Sequence, residues 1–130
     1  VPQVWGDRVR LGQVVLNILT NARQAMEMSA RRLLTVRVAA EPANERSVVI
    51  EISDTGTGFD MSNLDKIFKP FYTTKEGHGT GLGLSISRTI MKEHSGEIEA
   101  WGCPGEGARF TLRLPAATVV SRGPKAESAI

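Results

Sequence analysis

A chain of 130 residues, 41% hydrophobic and 23% charged, is the size of one ordinary domain and can bury a core, but it leaves no room for a second domain. Its 16 basic and 14 acidic residues nearly cancel, and the basic ones (Arg8, Arg37, Arg46, Lys92, Arg113) are scattered rather than striped, which argues against nucleic acid as a partner. Cys103 is the only cysteine, so an intrachain disulfide and a cysteine metal cage are excluded, and no apolar run approaches the ~20 residues that span a bilayer. The expectation is a soluble domain of a reducing compartment, without direct membrane contact. Val1 opens on an extended-looking VPQVW with no initiator Met, so the chain reads as a piece of a longer polypeptide.

Between residues 7 and 29, Leu11, Val14, Val15, Ile18, Ala22, Ala25 and Met26 recur at helical spacing behind Asp7, a capping residue, and predict a helix. Leu34, Val36 and Val38 alternate with Thr35 and Arg37, and Val48, Ile50 and Ile52 with Val49 and Glu51. Two strands are predicted, paired as an antiparallel hairpin around EPANER. A short helix follows over 61–68, capped by Asp60 and stopped by Pro70. Residues 71–81 are glycine-rich and without periodicity, a long loop of the kind that forms lids and binding loops. Helical spacing returns over 82–94 in Leu82, Ile86 and Ile90, with Gly96 as the stop. Residues 97–101 and 109–114 alternate across GCPGEG as a second hairpin, and small and charged residues over 116–130 predict a frayed tail. Helix, hairpin, helix, hairpin gives an α+β fold, a two-layer sandwich over residues 1–115 with helices on one face of a sheet.

Three stretches carry chemistry. On the first helix Asn17, Asn21 and Gln24 fall in one narrow stripe beside the apolar face, where amides point into a cleft; an amide oxygen is a neutral ligand that Mg²⁺ accepts when phosphates and waters complete its shell. The plainer alternative is that these amides bond a neighbouring loop. Asp54 ends a strand and is followed by Gly56 and Gly58, which allow close ligand approach, and by Phe59, an apolar wall. A carboxylate there can accept from the exocyclic amine of adenine, a donor guanine lacks at that position; the alternative is an ordinary Asp-Gly turn. The run GHGTGLGLS opens a helix, so Gly79, Thr80, Gly81 and Leu82 can aim backbone amides at a phosphate. No GK[ST] follows and no parallel βαβ unit surrounds it, so it is neither a Walker loop nor a dinucleotide fingerprint. Lys75, upstream in the loop, can reach a terminal phosphate. His78, in the loop, and His94, a partner for the last carbonyls of its helix, are given no metal or catalytic role, and Cys103, Trp5 and Trp101 are read as packing residues.

The blocks NILTNARQAM, DTGTGF, IFKPFYTTK and GTGLGLS, followed by IMKEHSGEIEAWGCPGEGARFTLRLP, together resemble the catalytic ATP-binding domain of bacterial sensor histidine kinases, most of all the nitrogen-regulation and oxygen-sensing branch. The resemblance implies a Bergerat-type α/β sandwich with a mixed sheet. It implies Asn21 as the Mg²⁺ ligand with Asn17 as companion, Asp54 as the adenine selector, and Gly56, Gly58, Ala25 and Phe59 as the base pocket. Lys75 would lie near the phosphates of ATP, with Gly79, Gly81 and Gly83 as hinges of the lid. The partners implied are a histidine-bearing dimerisation domain and a response regulator; the domain itself would be monomeric and cytoplasmic, either in a soluble kinase or as the inner part of a membrane-anchored sensor. Gln24 stands where many relatives carry lysine, and Ala108 where threonine is frequent. Asn17 stands where hydrolysing relatives place a glutamate base, so slow ATP hydrolysis is expected. With no phospho-acceptor segment before the first helix, the chain is expected to phosphorylate in trans. Two further readings stay open on the same residues: a serine kinase of the anti-sigma type, and a nucleotide-binding interaction module without chemistry.

Overall fold

In the computed structural model, which describes residues 3–41, 44–72 and 82–117, Asp7 starts helix α1 (Arg8–Ala25) by accepting the N–H groups of Val9 at 3.0 Å and Arg10 at 3.2 Å. The helix stops short of residue 29 for a visible reason. The Ala25 carbonyl, which a continuing helix would give to Ser29, accepts the Thr57 N–H at 3.0 Å instead, and Ser29 N–H turns to Met26.

Strand β1 (Leu34–Glu41) pairs with β2 (Asn44–Asp54), a 3₁₀ turn (Met61–Asn63) leads into the single turn α2 (Leu64–Ile67), and α3 (Gly83–Glu93) precedes the hairpin of β3 (Glu97–Cys103) and β4 (Gly107–Pro115). Asp60 caps the 3₁₀ turn through Ser62 N–H at 2.8 Å, a bond that holds its carboxyl below the usual range. The sheet has four strands in the order β1-β2-β4-β3. The expected fold class holds, with one correction: each pairing is antiparallel, so the sheet is not mixed, because both hairpins pair internally and meet along β2 and β4.

Val48, Ile50 and Ile52 of β2 stand opposite Leu114, Leu112 and Phe110 of β4, and these rows meet Leu11, Val14 and Ile18 of α1 and Ile90 and Met91 of α3 in the core. The opposite face is a solvated ladder in which Arg37 meets Glu51, and Arg113 meets Glu41, Glu97 and Glu99. Trp101 also lies there, 45% exposed beneath the Arg109 guanidinium at 5.5 Å, so it is not the packing residue expected. Cys103 donates its thiol to Glu106 at 2.6 Å, and the carboxylate keeps it protonated by pushing its pKa up. Beyond Pro115, Ala116 N–H still bonds Arg46 O at 2.6 Å and Ala117 N–H bonds Gln3 O at 2.5 Å. Residues 118–130 of the expected tail lie outside the described residues.

The two long helices run antiparallel. Arg10 grips Glu93 with both terminal guanidinium nitrogens, and His94 binds Ile90 O through Nδ1 at 2.8 Å while Nε2 accepts Asp7 N–H at 3.0 Å. Because that carbonyl only accepts and that N–H only donates, the ring is neutral with its proton on Nδ1. The stop expected at Gly96 is a two-residue device: Ser95 takes the left-handed conformation (φ 58°) and bonds Lys92 O at 3.0 Å, and Gly96 N–H bonds Met91 O at 2.8 Å. Among the described residues no helix is long and apolar enough to cross a membrane.

Candidate functional site

Asp54 is the last of the row Val48, Ile50, Ile52, Asp54 on the helix-covered face of β2, directly opposite Ala108 of β4. It is only 8% exposed, and its Oδ1 accepts the Gly56 N–H at 2.8 Å, which fixes the carboxylate plane. The following loop doubles back against the end of α1. A Cβ on Gly56 would stand 2.5 Å from the Ala25 carbonyl oxygen, so only glycine lets the Thr57 N–H reach that oxygen. On its other side the loop is held by the β3–β4 turn, where Gly105 N–H donates to Thr57 O at 2.8 Å. Gly58 is left-handed (φ 65°), and a Cβ there would overlap the carbonyls of Cys103 and Gly107. Phe59 then lays its ring over Gly102, with the Phe110 centroid 6.5 Å away. Carboxylate, helix end and phenyl ring thus form one corner clamped from both sides.

Asn17, Asn21 and Gln24 share the flank of α1 that faces α3, and each is partly buried. Asn17 Nδ2 donates to Gly83 O at 3.3 Å and to Ser87 Oγ at 3.2 Å, so the first residue of α3 sits beside Asn17. Since α3 runs back toward the start of α1, Asn21, Gln24 and Ala25 lie past the beginning of α3. They border the space between that beginning and the Asp54 loop. The sequence assigned Asn17, Asn21, Gln24, Ala25, Asp54, Gly56, Gly58, Phe59, Leu82 and Gly83 to one neighbourhood; the contacts that link these segments are Ala25 with Gly56 and Thr57, and Asn17 with Gly83. For Asn17 the plainer alternative also holds in part, because its amide nitrogen is bonded to the protein. Lys75, Gly79, Thr80 and Gly81 lie outside the described residues, as does His78.

The N-cap of α3 is Leu82, whose side chain has no oxygen to offer the first-turn amides, and that turn carries no acidic residue. Just before the undescribed segment, Phe71 is exposed and left-handed (φ 67°), a costly conformation for a bulky residue. No group of three or more His, Cys, Asp or Glu that could hold a metal occurs among the described residues. A cation held beside Asn17 and Asn21 would meet neutral amide oxygens.

Sequence reasoning missed Ser87. It drew the buried stripe of α3 through Leu82, Ile86 and Ile90, but Ile86 is 39% exposed, and the buried residues are Ser87, Ile90 and Met91. The signal was present in the pattern: a stripe one residue over, Leu84, Ser87, Met91, keeps helical spacing and has a serine at its centre.

Comparison with known proteins agrees with this geometry. The chain is 43% identical over 114 residues to the sensor protein FixL of Bradyrhizobium diazoefficiens, covering 88% of this chain and 22% of FixL. It is 45% identical over 109 residues to the signal transduction histidine-protein kinase AtoS of Escherichia coli K12, covering 84% of this chain and 17% of AtoS. It spans about a fifth of these relatives. A nucleotide-free catalytic domain of histidine kinase ThkA superposes with a TM-score of 0.73 at 32% identity, covering 88% of this chain and 73% of that domain. Full-length ShkA in complex with AMPPNP superposes with a TM-score of 0.78 at 29% identity, covering 92% of this chain and 24% of ShkA. The sequence pattern of the histidine kinase-, DNA gyrase B- and HSP90-like ATPases matches residues 6–118, from the turn that precedes α1 to just past β4, and it is to that family that the chain belongs.

Proposed function

We propose that the chain is the ATP-binding catalytic unit of a two-component sensor histidine kinase. It would hand the γ-phosphate of ATP to a histidine on a separate dimerisation domain, for relay to a response regulator in the cytoplasm. The observation that carries this reading is the buried Asp54 carboxylate, fixed by Gly56 N–H at 2.8 Å inside a loop bonded to the last turn of α1. A carboxylate so placed is an acceptor for the adenine amine and repels the carbonyl that guanine presents instead. Ala25 and Phe59 would flank the ring, and Gly56 and Gly58 keep the loop thin enough for a base to approach.

Asn21, with Asn17, would hold Mg²⁺. Two neutral amide oxygens suit an ion whose remaining shell is phosphate and water. When bound, Mg²⁺ would offset the charge of the phosphate oxygens. Gln24, Lys75 and the backbone amides of Gly79, Thr80, Gly81, Leu82 and Gly83 are assigned to the phosphates, and Leu82, the N-cap of α3, offers the first-turn amides no side-chain hydrogen bond. Asn17 cannot accept a proton, so water at this position is not activated and hydrolysis is slow.

Calorimetric titration of an unhydrolysable ATP analogue tests the base contact. Asp54→Ala is expected to lose binding while keeping its circular dichroism spectrum, and unchanged affinity in that variant would overturn the reading. Labelled ATP with a separately made acceptor domain should then yield an acid-labile, base-stable phosphate on histidine. An unlabelled acceptor under conditions where nucleotide binds would instead favour an interaction module.

A further inference from the structure

Among the described residues two polar side chains are buried, Asp54 and Ser87, and the second has no part in the reading above. Ser87 is 0% exposed, in the second turn of α3, and its hydroxyl oxygen accepts Asn17 Nδ2 at 3.2 Å. The same nitrogen reaches Gly83 O at 3.3 Å. A backbone carbonyl can only accept, so the Asn17 amide must present its nitrogen to α3, and its Oδ1 is turned the other way. Among the described residues, both side-chain hydrogen bonds of Asn17 leave from Nδ2.

We propose that Ser87, together with the Gly83 carbonyl, is a positioning residue. It locks the Asn17 amide so that its oxygen, rather than its nitrogen, faces the cleft beside Asn21. The amide ends differ in sign. An amide rotated by half a turn would present N–H hydrogens to a cation, and would set its oxygen against the Gly83 carbonyl, which can only accept. The Ser87 hydroxyl can donate as well as accept, so the Gly83 carbonyl sets the sense of the amide, and Ser87, at this depth in an otherwise apolar stripe, holds it in place. Asn17 then serves the cation by orientation set from α3, so the start of that helix and the cation site are mechanically joined. This rests on the reading that the cleft takes Mg²⁺ with nucleotide.

The test compares affinity for an unhydrolysable ATP analogue in Mg²⁺ and in EDTA by calorimetry, using the 130-residue chain and its variants. Ser87→Ala is expected to lose roughly tenfold of the Mg²⁺-dependent affinity, the scale of other losses of a hydrogen-bonded support behind a metal ligand, and nothing in EDTA. Adding Ser87→Ala to Asn17→Ala should change the Mg²⁺ dependence no further. Equal losses with and without Mg²⁺ would make Ser87 a packing residue between the helices and overturn the inference, as would no loss in either. Asn21→Ala separates the two levels of the argument. If Mg²⁺ dependence survives in that variant, the site reading fails. If it is lost there but retained in Ser87→Ala, only the positioning role fails.

Discussion

Ser95 holds a left-handed backbone (φ 58°) that glycine adopts without strain, while its neighbour Gly96 supplies the N–H that closes the turn. Sequence reading placed the helix stop at Gly96 because glycine is the usual left-handed residue, and so was one position late. Ser95→Gly is expected to raise stability by about 1 kcal/mol, read as a higher urea midpoint with an unchanged slope. Gly58 is the opposite case, since its φ of 65° and the surrounding carbonyls both exclude a side chain. Gly58→Ala should cost about 2–4 kcal/mol and displace the Asp54 loop, so that nucleotide affinity falls along with the urea midpoint. The residues of this corner were legible because their chemistry is written locally, as Asp-Thr-Gly-Thr-Gly after a strand. Ser87 was not, because its role depends on a partner 70 positions away.

At the scale of elements, what fixes the cleft is the alignment of α1 with α3, which is tied at the site through Asn17 and again at the end remote from it. Asp7 N–H finds its acceptor in His94 Nε2 at 3.0 Å, and Arg10 grips Glu93 one turn on. His94→Phe keeps a ring of similar size but leaves that N–H without an acceptor, which should cost about 1–3 kcal/mol in urea denaturation. The ion pair acts through pH. The Arg10 hydrogen bond holds the Glu93 carboxyl below its ordinary value, so its contribution is complete above the unfolded pKa and fades as pH falls through the folded one. Asp60, lowered by Ser62 N–H, contributes with the same sign. Stability should therefore decline on the acid side, and Arg10→Gln should make that decline shallower without abolishing it, as followed by urea midpoints between about pH 3 and 6. Both partners of the pair are about half exposed, so the effect is small at neutral pH. Periodicity predicted both helices correctly in place but could not show how they are tied, since neither the histidine ring nor the arginine belongs to an apolar stripe.

For the whole molecule, alternation in the sequence revealed two hairpins and their buried faces, yet not how the hairpins join. Val36 and Ile52 read alike, as inward residues of adjacent strands, and they do stand directly opposite each other. Their burial differs completely: Ile52 is 1% exposed and Val36 52%. The cause is the strand order, which puts β2 and β4 in the middle under the helices and leaves β1 at an edge with Leu34 and Val38 exposed as well. Truncation should expose this asymmetry, with Ile52→Val costing about 0.5–1.5 kcal/mol although it removes one methylene, and Val36→Ala, which removes more, costing less. Native-state hydrogen exchange gives the same contrast without mutation. Amides of β2 and β4, bonded on both sides beneath the core, should exchange only through global unfolding. Those of β1 that point away from β2 have no strand beyond them and should exchange by local opening. If β1 amides were protected as strongly as those of β2, the edge placement of that strand would be wrong, and with it the order that leaves the Asp54 end of β2 beneath α1.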